Sequence, residues 1–407
     1  MPDPCPPPSS ARNLYSFGAT SFFNDTATEM AYWVLPAFLV SLGAGPAQLG
    51  LIEGIAESVA SFAKLFSGYL TDRIDRRKPL VVGGYFVANA VKPLLAIATS
   101  WWHILLIRFA DRLAKGVRGA PRDVMVAESV GKEKLGSAYG LIQSLDSAGA
   151  IAGPLAALVL LAHFGIRTVF WAAAVPGALA VLVAIFGIRE THDSRVPQKQ
   201  RDPGHPQNPT QNSHPVAQNA TRVGQPPFSF YVVLIAVTLF SLGNSSDMFL
   251  VMRAQNVGIR VSLAPLLGLV FNTTYTLGSW PAGWFSDRGS RRVIAAAGYL
   301  IFAGVYFVFG RAPSTLAIWI MMAVYGIYYA LTQPVLKALV VETVAEEIRG
   351  RALGIYFFLT SVATLAASLI TGELWKHWGP ALPFYVSAGL AAVSAMLLMA
   401  SPAARRN

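Results

Sequence analysis

Six acidic side chains lie inside long apolar stretches of this sequence, where they could do proton chemistry. They are Asp25, Glu29, Glu53, Glu57, Asp146 and Asp247. The first two are one helical turn apart, and so are the next two. A carboxylate shielded from water is costly to keep charged, so it can take up and release protons near neutral pH. Close acidic pairs strengthen this effect. These residues are therefore predicted to couple proton movement to function. A structural ion pair, for example Glu57 with Lys64, is the alternative for the second pair.

Four charged residues also fall on one side of a single apolar stretch. Arg108, Asp111, Arg112 and Lys115 lie within about 100° of one another on a helix. Charges placed inside a membrane segment are costly and usually face a cavity or a partner. Arg108 and Arg112 are therefore predicted to take part in proton coupling or substrate binding. The alternative is that members of this group, Lys115 above all, line the cytoplasmic mouth of a cavity.

Sulfur ligands offer a weaker possibility. Met248 and Met252 place two thioethers on one helical face, and soft sulfur ligands suit Cu(I). Methionine is also a common apolar filler. The single cysteine, Cys5, precludes an intramolecular disulfide and a cysteine-based metal cluster. The sequence predicts no cofactor and no metal site, with copper as the weak alternative.

The elements that must position these residues are membrane-spanning helices. Of the 407 residues, 54% are hydrophobic and 13% are charged, and the mean hydropathy is +0.48. A soluble domain carries about 25% charged residues. Spans this apolar must be helical, because lipid cannot satisfy backbone polar groups. Hydropathy and helix breakers predict twelve spans: 14–42, 47–71, 79–99, 102–123, 135–162, 167–188, 228–252, 262–286, 292–310, 313–341, 350–375 and 380–401. No phosphate loop, nucleotide fingerprint or nucleophile elbow indicates an enzyme.

Charge placement orients the predicted spans. The net charge of +11 is concentrated in short clusters between alternate spans, which is typical of cytoplasmic loops and not of nucleic-acid binding. Both termini are therefore predicted to be cytoplasmic, in a multi-pass protein of the bacterial inner membrane. The start of the sequence lacks the pattern of a cleavable signal peptide. Residues 1–13 and 403–407 are predicted to be cytoplasmic tails.

A polar segment divides the chain into two repeats. Residues 190–227 are rich in Pro, Gln, Asn and Thr, and such a segment is predicted to be a flexible cytoplasmic linker. It separates residues 14–189 from 228–402. Gly68–Arg73 in the first half matches Gly283–Arg288 in the second, at the same offset as a second matching pair of segments. The sequence thus predicts an all-α membrane protein with twelve transmembrane helices in two pseudo-symmetric halves of six.

The loop between spans 2 and 3 carries a recognisable signature. Gly68-x-x-x-Asp72-Arg73, followed by Arg76-Arg77-Lys78, resembles the corresponding loop motif of the major facilitator superfamily. The resemblance extends over essentially the whole chain. It implies the fold of that superfamily and a conformational latch made by Gly68, Asp72, Arg73 and Arg76, repeated in part by Asp287 and Arg288. A basic loop that serves only membrane topology is the alternative.

Two further motifs resemble those of the same superfamily. Arg112-x-x-Lys115-Gly116 resembles its fourth-helix motif. Gly140-x8-Gly149-x3-Gly153-Pro154 resembles its fifth-helix motif, which implies antiport. Small residues at this spacing let helices pack closely, and a proline bends a helix.

Together these features predict a proton-coupled secondary transporter that works by alternating access and exports a small organic compound, such as a drug-like molecule, a metabolite or a siderophore. The alternatives are an uptake symporter, a copper importer using the two methionines, and, from another class, a non-transporting membrane receptor or scaffold. The predicted partners are the lipid bilayer, the substrate and protons, but no nucleic acid, and the chain is predicted to be a monomer.

Overall fold

The computed structural model describes residues 8–71, 76–130, 135–190, 227–288, 290–344 and 349–400. Within these ranges the regular secondary structure is helical throughout, and it forms the twelve predicted spans. We number them 1 to 12: Pro8–Tyr32 with Leu35–Ser41, Pro46–Thr71, Lys78–Val91 with Lys92–Ile97, Trp101–Glu128, Leu135–Phe164, Ile166–Ala172 with Ala174–Gly187, Phe228–Gly243 with Met248–Asn256, Val261–Leu263 with Ala264–Arg288, Arg291–Arg311, Thr315–Glu342, Arg349–Trp378 and Leu382–Ala400.

Hydropathy differs between the spans in a way that bears on function. In the described part of the chain, nine spans are long and apolar enough to cross a membrane by length and composition alone. The other three are spans 1, 2 and 4. These three contain the two acidic pairs and the charged face predicted from the sequence. They sit in the bundle because neighbouring spans bury their charges, not because their own composition suits lipid.

Helix breaks occur where the sequence weakens the backbone hydrogen-bond ladder. Span 1 breaks at Trp33-Val34, just before Pro36, which cannot donate a backbone hydrogen bond. Span 7 breaks over residues 244–247, whose sequence is Asn-Ser-Ser-Asp. The side chains of these residue types compete for backbone groups and favour irregular conformations. The second break places Asp247 at the start of a new helix.

The spans pack as two six-helix halves that touch along two seams. Within the first half, span 2 packs on span 4 and span 1 on spans 5 and 6. Within the second, span 8 packs on span 10, and span 12 on spans 7 and 9. Span 2 packs on span 11 and span 5 on span 8, which joins the halves. Large apolar side chains such as Phe186, Leu277 and Met396 are exposed on the outside, as in a lipid-facing surface.

One end of the bundle gathers the start of span 1 and the end of span 6, and we call it the termini end. There Asn13 donates to the Arg189 carbonyl at 3.1 Å and to Ser129 at 3.1 Å. Glu190 accepts from the backbone N–H groups of Arg77 and Lys78, at 2.7 and 3.1 Å. Glu190 thus caps the start of span 3.

The two halves are sealed at the far end and separate toward the termini end. A Cβ at Gly372 would lie 2.6 Å from the Pro46 carbonyl oxygen, and one at Gly50 would clash with the Ser368 carbonyl. By contrast, among the described residues a Cβ at Gly68 or Gly354, farther along the same two spans, would meet no atom within 4 Å. The close packing between the described parts of the two halves is therefore at the far end.

Candidate functional site

A buried ion pair links spans 2 and 4. The Nε and Nη2 groups of Arg108 each donate to one carboxylate oxygen of Glu53, both at 2.9 Å. Glu53 is fully buried and Arg108 is 5% exposed. A two-pronged pair of this kind satisfies both charges where water cannot. Both residues were predicted site residues, and the structure brings them together.

The pair extends into a network that reaches span 3. Asp111 lies 3.8 Å from Arg108 and 3.7 Å from Lys92. Lys92 also donates to the side-chain oxygen of Asn89 at 3.0 Å and is 5% exposed. Sequence reasoning missed Lys92 as a site residue. Its position inside an otherwise apolar predicted span was the signal that could have found it.

The two carboxylates of the second acidic pair contact different arginines of span 4. Arg112 lies 3.1 Å from Glu57 and is itself buried, whereas the Glu57 side chain is 42% exposed. The structure therefore pairs Glu57 with Arg112 and not with Lys64, the partner suggested as an alternative. Arg108 and Arg112 lie one turn apart on span 4, and their two carboxylate partners lie one turn apart on span 2. The two ion pairs therefore follow one another along the contact between these spans.

The first acidic pair lies where span 1 packs on span 5. Glu29 accepts a hydrogen bond from the indole N–H of Trp33 at 2.7 Å, and Asp25 accepts one from Asn24 at 3.0 Å. A Cβ at Gly153 would lie 2.8 Å from the Cβ of Glu29. The predicted close packing at the span 5 glycines is therefore present in the described part of the motif.

The direct ion pair of Arg112 is with Glu57 of span 2, so the two span 1 carboxylates are held by hydrogen bonds from Trp33 and Asn24 instead. The roles of these residues in proton coupling stay a prediction.

A cavity of about 280 Å³ lies between spans 1, 2, 4 and 5. It occupies the part of the first half between its middle and the termini end. Its charged lining residues are Asp25, Lys64, Lys115, Arg118, Arg122, Asp123 and Asp146. Two of the predicted proton-carrying residues, Asp25 and Asp146, thus face one cavity although they lie on different spans.

Arg118 and Arg122 were not among the predicted site residues. Both continue the helical face of Arg108, Arg112 and Lys115 by further turns of span 4, which was the available signal. Both also lie within the predicted bounds of that span, and the helix itself continues to Glu128.

In the second half, Asp247 is held by tyrosines of span 10. The hydroxyl of Tyr325 donates to Asp247 at 2.6 Å and that of Tyr329 at 3.1 Å. Both rings belong to a larger aromatic group around Phe271 and Phe302. The helix break at residues 244–247 aims this carboxylate inward, away from lipid.

The same break connects the two halves. The Ser246 hydroxyl donates to Glu53 at 3.2 Å, and the Ser246 backbone N–H donates to the Ser368 hydroxyl at 3.3 Å. The Glu53–Arg108 pair is therefore in hydrogen-bond contact with span 7. A change in this ion pair can therefore alter the contact between the two halves.

Other predicted residues lie outside this arrangement. Met248 and Met252 are buried in the apolar core, and no group of three His, Cys, Asp or Glu side chains able to hold a metal occurs in the described ranges. Asp72 and Arg73 lie outside the described residues, as do the side chains of Asp287 and Arg288 and the burial of Gly140. Arg76 is exposed at the termini end. The latch stays a prediction.

Comparison with known proteins agrees with this architecture. The family model described as Major Facilitator Superfamily matches residues 17–253 and 228–407. An uncharacterised MFS-type transporter of Methanocaldococcus jannaschii is 31% identical over 399 residues, which cover 96% of this chain and 94% of that protein. The multidrug resistance protein MdtG of Escherichia coli is 24% identical over 97% of this chain and 96% of its own length. A crystal structure of a variant of the nucleoside transporter NupG superposes with a TM-score of 0.75 at 14% identity, over 95% of this chain and 99% of that one.

Proposed function

Because the chain belongs to the major facilitator superfamily and is a multi-pass membrane transporter, not an enzyme, we propose that it is a proton-coupled secondary transporter. It moves a small organic compound by alternating access. The observation that carries this proposal is the first-half cavity, where Asp25 and Asp146 face one space beside the ion pairs of span 4.

Proton coupling follows from the physics of these groups. A carboxylate on a cavity within the membrane alternates between a charged and a neutral form at modest cost. Protonation changes the attraction between that group and nearby basic side chains, and this change biases which side the cavity faces. The structure represents the state open toward the termini end.

Export is the proposed direction. It is supported by the likeness to MdtG, whose name records multidrug resistance, and by the tightly packed glycines of span 5. Uptake together with protons is the second candidate. The observation that favours it is the excess of basic side chains on the cavity.

The placement in the cell follows from the charge pattern. We propose that both termini are cytoplasmic, that the membrane is the bacterial inner membrane, and that the chain acts as a monomer. The termini end carries Arg76, Arg77 and Lys78, in agreement with the preference of cytoplasmic loops for basic residues. In this orientation the structure is open to the cytoplasm.

Proton flux in everted membrane vesicles tests the proposal. Vesicles with an acidified interior are given candidate compounds, and an exporter that exchanges its substrate for protons makes the interior less acidic. Uptake with protons changes internal pH in the opposite sense, because compound added outside enters the vesicles together with protons and makes the interior more acidic. Flux that is unchanged by neutralising Asp25, Glu29 and Asp146 at normal expression would contradict coupling through these residues. A receptor or scaffold would produce no compound-dependent flux at all.

A further inference from the structure

We propose that the cavity of spans 1, 2, 4 and 5 binds an anionic group of the transported compound, a carboxylate or phosphate, through Arg118 and Lys115. This inference rests on the proposed function, since it takes this cavity to be the transport site. It adds the chemical class of the substrate, which neither the family nor the names of relatives supply.

The charge of the lining is the first observation. Lys64, Lys115, Arg118 and Arg122 supply four positive charges, and Asp25, Asp123 and Asp146 supply three negative ones. Arg122 donates to its neighbour Asp123 at 3.1 Å, so these two charges neutralise each other. Three basic residues then face two carboxylates, and the cavity carries a net positive charge whatever the protonation state of those two.

The state of Arg118 is the second and independent observation. Its side chain is 94% buried, being 6% exposed. The guanidinium lies over the ring of Tyr85, with 4.0 Å between its central carbon and the ring centroid. One of its terminal nitrogens, Nη1, has no hydrogen-bond partner in the described part of the protein. A buried cation with an unused donor is costly, and the charge of an anion in the adjoining cavity relieves part of that cost.

The two lysines complete the site. Lys64 and Lys115 are exposed on the cavity, and neither forms an ion pair with a carboxylate of the described residues. The methylene chain of Lys64 lies over Gly119, where a Cβ would come within 3.8 Å of it. A planar guanidinium favours the paired oxygens of a carboxylate or phosphate, and a mobile ammonium adds a second positive charge.

The cavity size limits the rest of the ligand. A volume of about 280 Å³ is at the lower limit of small-molecule sites, which begin at roughly 300 Å³. The inferred substrate is therefore a small, compact organic anion.

Charge also predicts how protons and this ligand interact. Protonation of Asp25 or Asp146 removes a negative charge from the same cavity, so a proton and an anion each strengthen the binding of the other. An anionic substrate therefore favours uptake together with protons, the second candidate direction, over exchange.

Ligand-dependent thermal stability of the purified full-length chain tests the inference. The probes share a benzene ring and differ in charge: phenyl phosphate, phthalate, benzyltrimethylammonium and benzyl alcohol, at millimolar concentration and constant ionic strength. Binding to the folded state raises the melting temperature, and the rise grows with the logarithm of the ligand concentration divided by Kd. We expect phenyl phosphate or phthalate to raise it, and the cation and the alcohol to leave it unchanged.

Variants locate the binding. Arg118→Gln and Lys115→Gln should each weaken anion binding by about tenfold, the loss of one charge-assisted hydrogen bond. Lys376→Gln, which removes a lysine exposed at the far end of span 11, should not. Lys115 is exposed, so its variant keeps the test valid even where Arg118→Gln fails to fold.

Three results would overturn the inference. Two are no stabilisation by either anion and equal stabilisation by the cation or alcohol. The third is loss of anion binding in Lys376→Gln to the same degree as in the cavity variants, because binding would then reflect general charge. Failure of the proposed function looks different. Anion binding without any proton flux in vesicles leaves the site intact and removes the coupling.

Discussion

At the scale of single residues, the most informative feature is which carboxylate pairs with each arginine of span 4. The sequence predicted that Arg108 and Arg112 face a cavity or a partner, because charges inside a span are costly. It did not predict that these partners are Glu53 and Glu57 of span 2. The pairing depends on the rotation and depth of span 4 relative to span 2. Helix packing determines both, whereas the helical period of the sequence does not.

The Glu53–Arg108 pair gives a prediction about stability. Glu53→Gln leaves Arg108 buried without its counter-charge, and breaking a buried pair from one side costs about 3–5 kcal/mol. The double variant Glu53→Gln/Arg108→Gln removes both charges and should recover part of that loss. Thermal unfolding in detergent of the two single variants and the double variant measures the coupling. Purely additive losses would show that the pair does not stabilise the fold.

At the scale of helices, composition predicted where the spans lie, and helix contacts determine what they do. Spans 1, 2 and 4 were predicted despite their charges because breakers and basic loops bound them. Close helix approach is found at Gly153, within the predicted span 5 motif, and also at Gly50 and Gly116. A glycine motif marks a helix surface that can approach another, but the conformation of the whole bundle decides whether it does.

The packing of span 5 on span 1 can be tested with one methyl group. A Cβ at Gly153 would lie 2.7 Å from the Thr26 carbonyl oxygen and 2.8 Å from the Cβ of Glu29. Gly153→Ala should therefore cost about 1–3 kcal/mol through overpacking. Gly304→Ala is the matched control, because a Cβ there meets no atom within 4 Å and alanine is the better helix former. Equal melting temperatures for the two variants would contradict the close contact.

At the scale of the whole molecule, the internal repeat predicted two halves, and the contacts along spans 2 and 11 show how they meet. Which end is closed was not predictable, since both ends of an alternating-access transporter use the same sequence. The closed end depends on a balance of contacts between halves, such as Ser246 with Glu53 and Ser58 with the Ser361 carbonyl at 3.2 Å.

The connection between the halves gives a prediction at this scale. Replacing residues 191–226 by a Gly/Ser linker of equal length should preserve transport, because this segment lacks the apolar content to form a core. Glu190 is to be kept, since it caps span 3, and Glu190→Ala should lower stability by about 1 kcal/mol. Abolished transport by the linker variant at normal membrane levels would make the segment a functional element.

Proton coupling as proposed requires that protons on the span 1 carboxylates shift the chain between the observed state and one closed at the termini end. Distance measurement by electron paramagnetic resonance tests it without any substrate. Spin labels are placed at Pro79→Cys and Ser290→Cys, which are exposed on opposite halves at the termini end, in a Cys5→Ser background reconstituted in lipid nanodiscs. We predict two distance populations whose ratio changes with pH, and no such change in the variant Asp25→Asn/Glu29→Gln. A single distance distribution that is the same at acidic and alkaline pH, or a pH response that persists unchanged in the double variant, would contradict the claim.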